Sequence, residues 1–205
     1  MYDTLAAAGR TRLLDQEAGR LRAQFADPRF LRQRPMTEEA MGERTRVLVA
    51  ELDAACRQAE HLAAETDAAF ATHAHYPIYR SFPACGPIVA ARMFAEIGDD
   101  LDRFATARGL RAYAGTAPIT WSSGRSHSVT RRRVCNRTLK HAAHQWAFAS
   151  LTRSPGCRAL YDARRERGDG YAAALRRVSN RLLSGLHHCL LMDQRYEEAA
   201  MFSRS

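Results

Sequence analysis

A tandem serine, Ser122-Ser123, stands directly before Gly124, and Arg125, Arg131, Arg132 and Arg133 follow within ten residues. A serine hydroxyl becomes a nucleophile once its proton is taken. Guanidinium groups hold phosphate oxygens through bidentate, charge-assisted hydrogen bonds. Together these residue types suit the presentation of an alcohol to a phosphodiester gripped by arginine. Gly115, Pro118 and Gly124 punctuate the stretch from Ala114 to Arg133, so it reads as a loop. The same residues also spell a Ser-Gly turn whose hydroxyl caps a following helix, with the arginines merely solvated. The pattern alone leaves both readings open.

The distribution of charge favours an anionic partner. The 205 residues carry 31 Lys or Arg against 22 Asp or Glu, a net charge of +9, and the pI is about 9.9. Residues 1–75 hold ten Arg and twelve acids, whereas residues 103–181 hold seventeen basic residues against three acids, a local net of +14. Thirty of the basic residues are Arg and only Lys140 is Lys. Clustered arginine on one segment is the electrostatic footprint of a nucleic-acid binder. Solubility is the alternative purpose of such a surface.

Other classes are disfavoured by composition and motif. No apolar run approaches the length of a membrane span, and Met1-Tyr2-Asp3-Thr4 lacks the basic and apolar regions of a secretory leader. The five cysteines (Cys56, Cys85, Cys135, Cys157 and Cys189) are scattered, with no C-x-x-C. That spacing points to a reducing cytoplasm and away from a zinc site or disulfide framework. A serine hydrolase would need a G-x-S-x-G elbow after a strand, and neither is present. His73-x-His75 and the pair His141 and His144 have no further ligands beside them, so no metal site is assigned.

Helices must position the serine stretch. Residues 1–34 read as helical, with Leu14, Ala18, Leu21 and Phe25 on one face, interrupted by Pro28 and Pro35. Leu48, Leu52, Ala55, Ala59, Leu62, Thr66 and Ala69 then recur at steps of four and three, a heptad seam. The seam suits an oligomerisation arm or an intramolecular helix pair. Tyr79 to Ile97 reads as a short helix, a turn at Pro83-Ala84-Cys85-Gly86 and a helix from Pro87 carrying Ile88, Ala91 and Ala95. Such a helix-hairpin-helix faces a phosphate with the backbone N–H groups around Cys85 and Gly86. Leu101 to Tyr113 forms a helix broken at Gly109, and Thr138 to Ser150 presents Leu139, Ala142, Ala143, Trp146 and Ala149. A helix from Leu160-Tyr161 to Gly168 precedes a last one, Tyr171 to Leu191, with Leu175, Val178, Leu182, Leu183 and Leu186 inward and Arg176, Arg177 and Arg181 outward. No strand alternation is recognised, so the expected fold is all-α: a helical coiled-coil arm over 1–75 and a compact helical domain over 76–205.

The order of these features resembles the IS110/IS116/IS902 insertion-sequence transposase family. The carrying residues are F-P-A-C-G-P-I-V-A-A (Phe82–Ala91), E-I-G-D (Glu96–Asp99), R-F (Arg103-Phe104) and L-R-A-Y-A-G-T-A-P (Leu110–Pro118). S-G-R-S (Ser123–Ser126), N-R-T-L-K-H-A (Asn136–Ala142) and A-A-L-R-R-V-S-N-R-L (Ala173–Leu182) continue the series. The resemblance implies a DNA recombinase in which Ser123, with Ser122 as the near alternative, attacks a phosphodiester and forms a covalent seryl-DNA intermediate. Arg125 and Arg131–Arg133 would neutralise the phosphate's developing charge. Gly124, Cys85, Gly86, Arg137 and Lys140 complete the expected nucleic-acid contacts.

The family joins this helical domain to a ribonuclease-H-like domain with acidic metal ligands, and a structured RNA from the element pairs with donor and target DNA. The resemblance therefore implies DNA at element ends and target, a guide RNA, self-association through the arm, and a bacterial cytoplasmic, nucleoid-associated location. Mg²⁺ is expected only with the acidic domain, which this sequence is expected to lack. The chain alone is then expected to be inactive in strand cleavage. Ala84 stands where the family's hairpin has its first glycine, which loosens the expected phosphate-facing turn. A non-catalytic nucleic-acid-binding remnant or regulator is the competing expectation.

Overall fold

The computed structural model describes residues 12–27, 29, 33–124 and 126–202. The helix expected before residue 12 and the Pro28 interruption lie outside them. The chain divides into two compact units, residues 1–58 and 59–205. Among the described residues the fold is all-α in character, and its one sheet is a two-stranded ribbon. No described helix is long and apolar enough to cross a membrane.

In the first unit, α1 (Leu14–Ala26) buries Ala18 and starts with Asp15 and Glu17 in its first turn, where acids favour a helix N-terminus. The helix α2 (Pro35–Ala71) begins at a proline, and the Glu38 carboxylate accepts a hydrogen bond from the Gln33 N–H at 2.9 Å just ahead of it. Seam residues Leu48 and Leu52 are exposed, and so are the neighbouring Val47 and Val49.

The second unit is a helical core. Its elements are α3 (Tyr76–Ser81), α4 (Pro87–Ile97), a single 3₁₀ turn (Leu101–Arg103), α5 (Ala107–Tyr113), α6 (Arg137–Ser150), α7 (Pro155–Glu166), α8 (Tyr171–Leu191) and α9 (Glu198–Phe202). The strands β1 (Pro118–Ser123) and β2 (Ser126–Arg131) stand between α5 and α6. The central pair is α6 with α8; α4 packs on α6, while α5 and α7 pack on α8. The helix α8 buries Leu175, Val178, Leu182, Leu183 and Leu186, as its periodicity predicts. Each such side chain contributes about 1.5–3 kcal/mol when withdrawn from water. The end of α2, from residue 59, belongs to this second unit, and Phe70 there packs in the core against Phe94 and Tyr79.

Several helix details differ from the sequence expectation. Gly109 does not break a helix: Thr106 caps α5 by accepting the Gly109 N–H at 3.2 Å, and the irregular segment is Phe104–Thr106 ahead of it. The helix α7 starts at Pro155, earlier than Leu160, because Ser154 caps it through the Cys157 N–H. On α4 the inward face is Ala90, Ala91, Met93 and Ile97, leaving Ile88 part-exposed; on α6, Ala147 and Ser150 are buried and Ala149 is not.

Candidate functional site

The serine stretch is an antiparallel β-hairpin, and the expectation of an irregular loop is corrected. The register pairs Pro118 with Arg131, Ile119 with Thr130, Thr120 with Val129, Trp121 with Ser128, Ser122 with His127 and Ser123 with Ser126. The Ser123–Ser126 pair closes the ribbon, and Gly124 follows at its tip. Gly124 takes φ +53°, the left-handed conformation that such tight hairpin turns require. The β-branched residues Ile119, Thr120, Val129 and Thr130 favour the extended backbone. Ser123 and Gly124 are exposed at the tip. The hydroxyl therefore stands on a fixed, solvent-facing turn, a geometry open to an incoming backbone phosphate.

The base of the hairpin is clamped. Gly115 takes φ +69°, and a Cβ there would lie 2.6 Å from both Cβ and Sγ of Cys135, so glycine is what lets the two legs approach. The Asn136 N–H donates to the Tyr113 carbonyl at 2.8 Å, and Asn136 Oδ1 caps α6 by accepting the Leu139 N–H at 2.9 Å. Asn136 Nδ2 donates to the Tyr113 hydroxyl at 2.8 Å and to a Glu96 carboxylate oxygen. Arg103 donates to the same Tyr113 hydroxyl at 3.0 Å and lies over the Tyr113 ring. Before β1, buried Thr116 and Ala117 donate their N–H groups to the Arg111 carbonyl, and Asn180 Nδ2 donates to the Thr116 carbonyl at 3.0 Å. Both legs are thus tied to α4, α5, α6 and α8. Most of these residues fall within the motifs quoted above, whose spacing alone assigns them no task.

The other candidate residues distribute as follows. Arg125 lies outside the described residues. Arg131 ends β2, Arg133 and Arg137 are exposed, and Arg132 and Lys140 are half-buried. Arg132 Nε is shielded from solvent and has no partner. Lys140 reaches back to the Gly115 turn. Cys85 and Gly86 lie elsewhere, in the turn between α3 and α4. There Ala84, at the position where the resemblance leads one to expect glycine, adopts φ +55°. The N–H groups of Cys85 and Gly86 are spent inside the turn, on the Phe82 and Ala84 carbonyls. The Cys85 thiol is buried, and burial pushes its pKa up to about 12. It is an inert core group, so only backbone or neighbouring side chains can meet a ligand there. Trp146 Nε1 and Ser150 Oγ both donate to the Pro83 carbonyl and pin the turn to α6. Arg80 and Arg153 flank an adjoining cavity of about 710 Å³.

Among the described residues no group of three or more His, Cys, Asp or Glu is placed to hold a metal ion. His141 and His144 are exposed on α6. His73 lies against Phe94 with its ring tilted and accepts the His75 N–H on Nδ1. These residues do not fit a Mg²⁺ site.

A second basic site, which motif reading missed, lies between α7 and α8. A cavity of about 690 Å³ is lined there by Arg111, Arg164, Arg167, Arg177 and Arg181 together with Asn180. The helical spacing of these arginines carried the only hint in the sequence.

The profile described as Transposase IS116/IS110/IS902 family matches residues 76–162, a range that includes the hairpin and the α3–α4 turn. The chain is 48% identical over 97% of its length to the IS117 mini-circle transposase of Streptomyces coelicolor, and covers 48% of that protein. It is 36% identical over 75% of its length to the 43.6 kDa protein of insertion element IS110 from the same organism, covering 38% of it. A 42 kDa protein of insertion element IS900 from Mycobacterium paratuberculosis is 35% identical over 57% of the chain. The chain spans about half the length of these relatives or less. Through residues 76–162 it belongs to the IS116/IS110/IS902 transposase family.

Proposed function

We propose that this chain is the serine-bearing segment of an insertion-sequence transposase, and that Ser123 is its nucleophile. The Ser123 oxygen attacks the phosphorus of a DNA phosphodiester, the strand's sugar oxygen leaves as a hydroxyl, and the serine is joined to the phosphate. Because the new bond is again a phosphodiester, reversal by a different strand's hydroxyl completes recombination. Arg125 and Arg131–Arg133 offset the charge that gathers on the phosphate oxygens. The observation that carries this reading is an exposed serine at the hairpin tip, on a ribbon clamped at its base, in a segment of net charge +14.

In this proposal residues 1–75 are an oligomerisation arm and residues 76–205 the helical domain that holds DNA. The exposed seam on α2 supports the first assignment. The turn at Cys85-Gly86 acts as a helix-hairpin-helix contact; since its own N–H groups are used internally, Arg80 and Arg153 meet the phosphate. Lys140 and Arg137 extend the contact beside the hairpin. A structured RNA and nucleoid DNA are the expected partners in a bacterial cytoplasm. Mg²⁺, where the family uses it, is held by acids other than those described, and no step above runs through it.

The test supplies in trans the part of the IS117 relative that this chain does not cover, with element-end DNA and Mg²⁺, and looks for protein–DNA adducts that survive denaturing electrophoresis. Adduct from the wild type, none from Ser123→Ala with binding retained, and none from the isolated chain are expected. Equal binding with no adduct under any condition supports the non-catalytic regulator instead.

A further inference from the structure

The arginine-lined cavity between α7 and α8 is separate from the hairpin tip and from the α3–α4 turn. Five guanidiniums converge on it, from Arg111 on α5, Arg164 on α7, Arg167 just beyond α7, and Arg177 and Arg181 on α8. Their neutralisation by the protein is sparse. Arg164 pairs with Asp169 at 2.7 Å, and Arg181 donates to the Met201 carbonyl while lying over the Phe202 ring. No described carboxylate forms an ion pair with Arg111, Arg167 or Arg177. Five like charges around one concavity repel one another, and folding tolerates this where an anion or its counterions occupy the space.

Two further groups point to a ligand. Arg111 Nε and Asn180 Oδ1 are both shielded from solvent without a hydrogen-bond partner, one a donor and the other an acceptor. Asn180 is 8% exposed and lines the cavity. Buried polar groups left unpaired cost roughly 1–3 kcal/mol each, so such a pair in one wall calls for an occupant. A phosphate oxygen accepts from Arg111, and an ordered water of its shell donates to Asn180 Oδ1.

We infer that this cleft is a further phosphate-binding site, built for the phosphodiester backbone of a nucleic acid at a distance from the serine. Its wall is fastened to the hairpin: Asn180 and Arg111 hold Thr116 and Ala117, which lead directly into β1. At about 3.3 Å per strand residue, Ser123 lies at most about 20 Å from that anchor along β1. Backbone held there would register a duplex or single strand against the hairpin tip. The inference concerns binding and does not require that Ser123 react.

The test compares Arg167→Ala/Arg177→Ala with Arg92→Ala/Arg195→Ala, a control that removes the same charge from exposed positions outside the cleft. Affinity for a fluorescein-labelled 30-base-pair duplex is read by anisotropy across a salt series, and AMP and inorganic phosphate are titrated by calorimetry. The cleft pair should weaken duplex binding about tenfold or more and reduce the log–log salt slope by about 1.8, since each lost phosphate contact removes about 0.9; the control should change both far less. Saturable AMP or phosphate binding, lost in the cleft pair while duplex binding stays unchanged, keeps the phosphate site but assigns it to a free nucleotide. Equal losses in the two double variants, with no saturable phosphate binding, overturn the inference. Because binding alone is read, that failure is distinct from failure of the seryl chemistry.

Discussion

At Gly115 a methyl group would meet Cys135 at 2.6 Å on a backbone already at φ +69°, whereas at Gly124, with φ +53°, nothing lies within 4 Å of the added carbon. Both substitutions incur the left-handed penalty of about 1–2 kcal/mol, and only the first adds overpacking of about 1–3 kcal/mol. Gly115→Ala should therefore lower the urea midpoint by the equivalent of about 2–5 kcal/mol, and Gly124→Ala by about 1–2 kcal/mol, with unchanged slope. Equal costs would show that the close approach of the legs does not matter. The glycines were legible as punctuation, but punctuation does not distinguish a loop from a hairpin. What separates them here is the run of β-branched residues on either side of a two-residue gap, and the Gly and Pro signals masked it.

Among the elements, the ribbon is held by the hydrogen bonds of Asn136 at its base as well as by its own pairing, since an isolated two-stranded hairpin is marginal in water. Asn136→Asp keeps the oxygen that caps α6 and replaces the Nδ2 donor by a carboxylate facing Glu96. The variant should lose about 2 kcal/mol at pH 7, from a lost donor and like-charge repulsion. Acidification below about pH 5 should return part of it as one carboxyl takes a proton. A deficit that does not depend on pH would place the defect in the cap instead. At the other end of the domain, Glu198 at the start of α9 accepts from Ser154 Oγ, the Gly156 N–H and the Tyr196 hydroxyl. Burial raises its pKa, but these hydrogen bonds together outweigh it and hold the carboxyl below its ordinary value.

A carboxyl depressed in the fold adds stability that is present above its unfolded pKa of about 4.3 and is lost as pH falls through the folded value. Glu198→Gln should flatten the acid side of the stability profile and leave the region above pH 6 displaced but parallel. An unchanged acid limb would show that Glu198 carries no such linkage. Helix faces were well read where apolar residues were large, as on α8. They were misread on α4, where Ile88 outranked Ala90 in hydrophobicity but Ala90 lies against α6. Small residues at a close helix contact carry little pattern.

At the scale of the whole molecule, charge was the most legible property, and its geometry the least. The +14 segment pointed to an anionic partner, yet the sequence could not show that five of its arginines, from three separate elements, surround one cavity. That grouping follows from packing α5, α7 and α8 together, which no local periodicity encodes. The network of Glu96, Arg103, Tyr113 and Asn136 was hidden for the same reason: four residues spread over forty positions meet only in the fold. The two units divide at residue 58, inside the acidic, Ala-rich helical segment, whereas the composition shift in the chain falls near residue 76.

The account stands on the bond formed by Ser123, and mass spectrometry of the protein–DNA adduct tests it most directly. After nuclease and protease digestion of the reaction assembled with the uncovered part of the IS117 relative in trans, the predicted result is a nucleotide remnant on Ser123, with no adduct from Ser123→Ala. A remnant on Ser122 or any other residue, or an adduct that persists in Ser123→Ala, would contradict it.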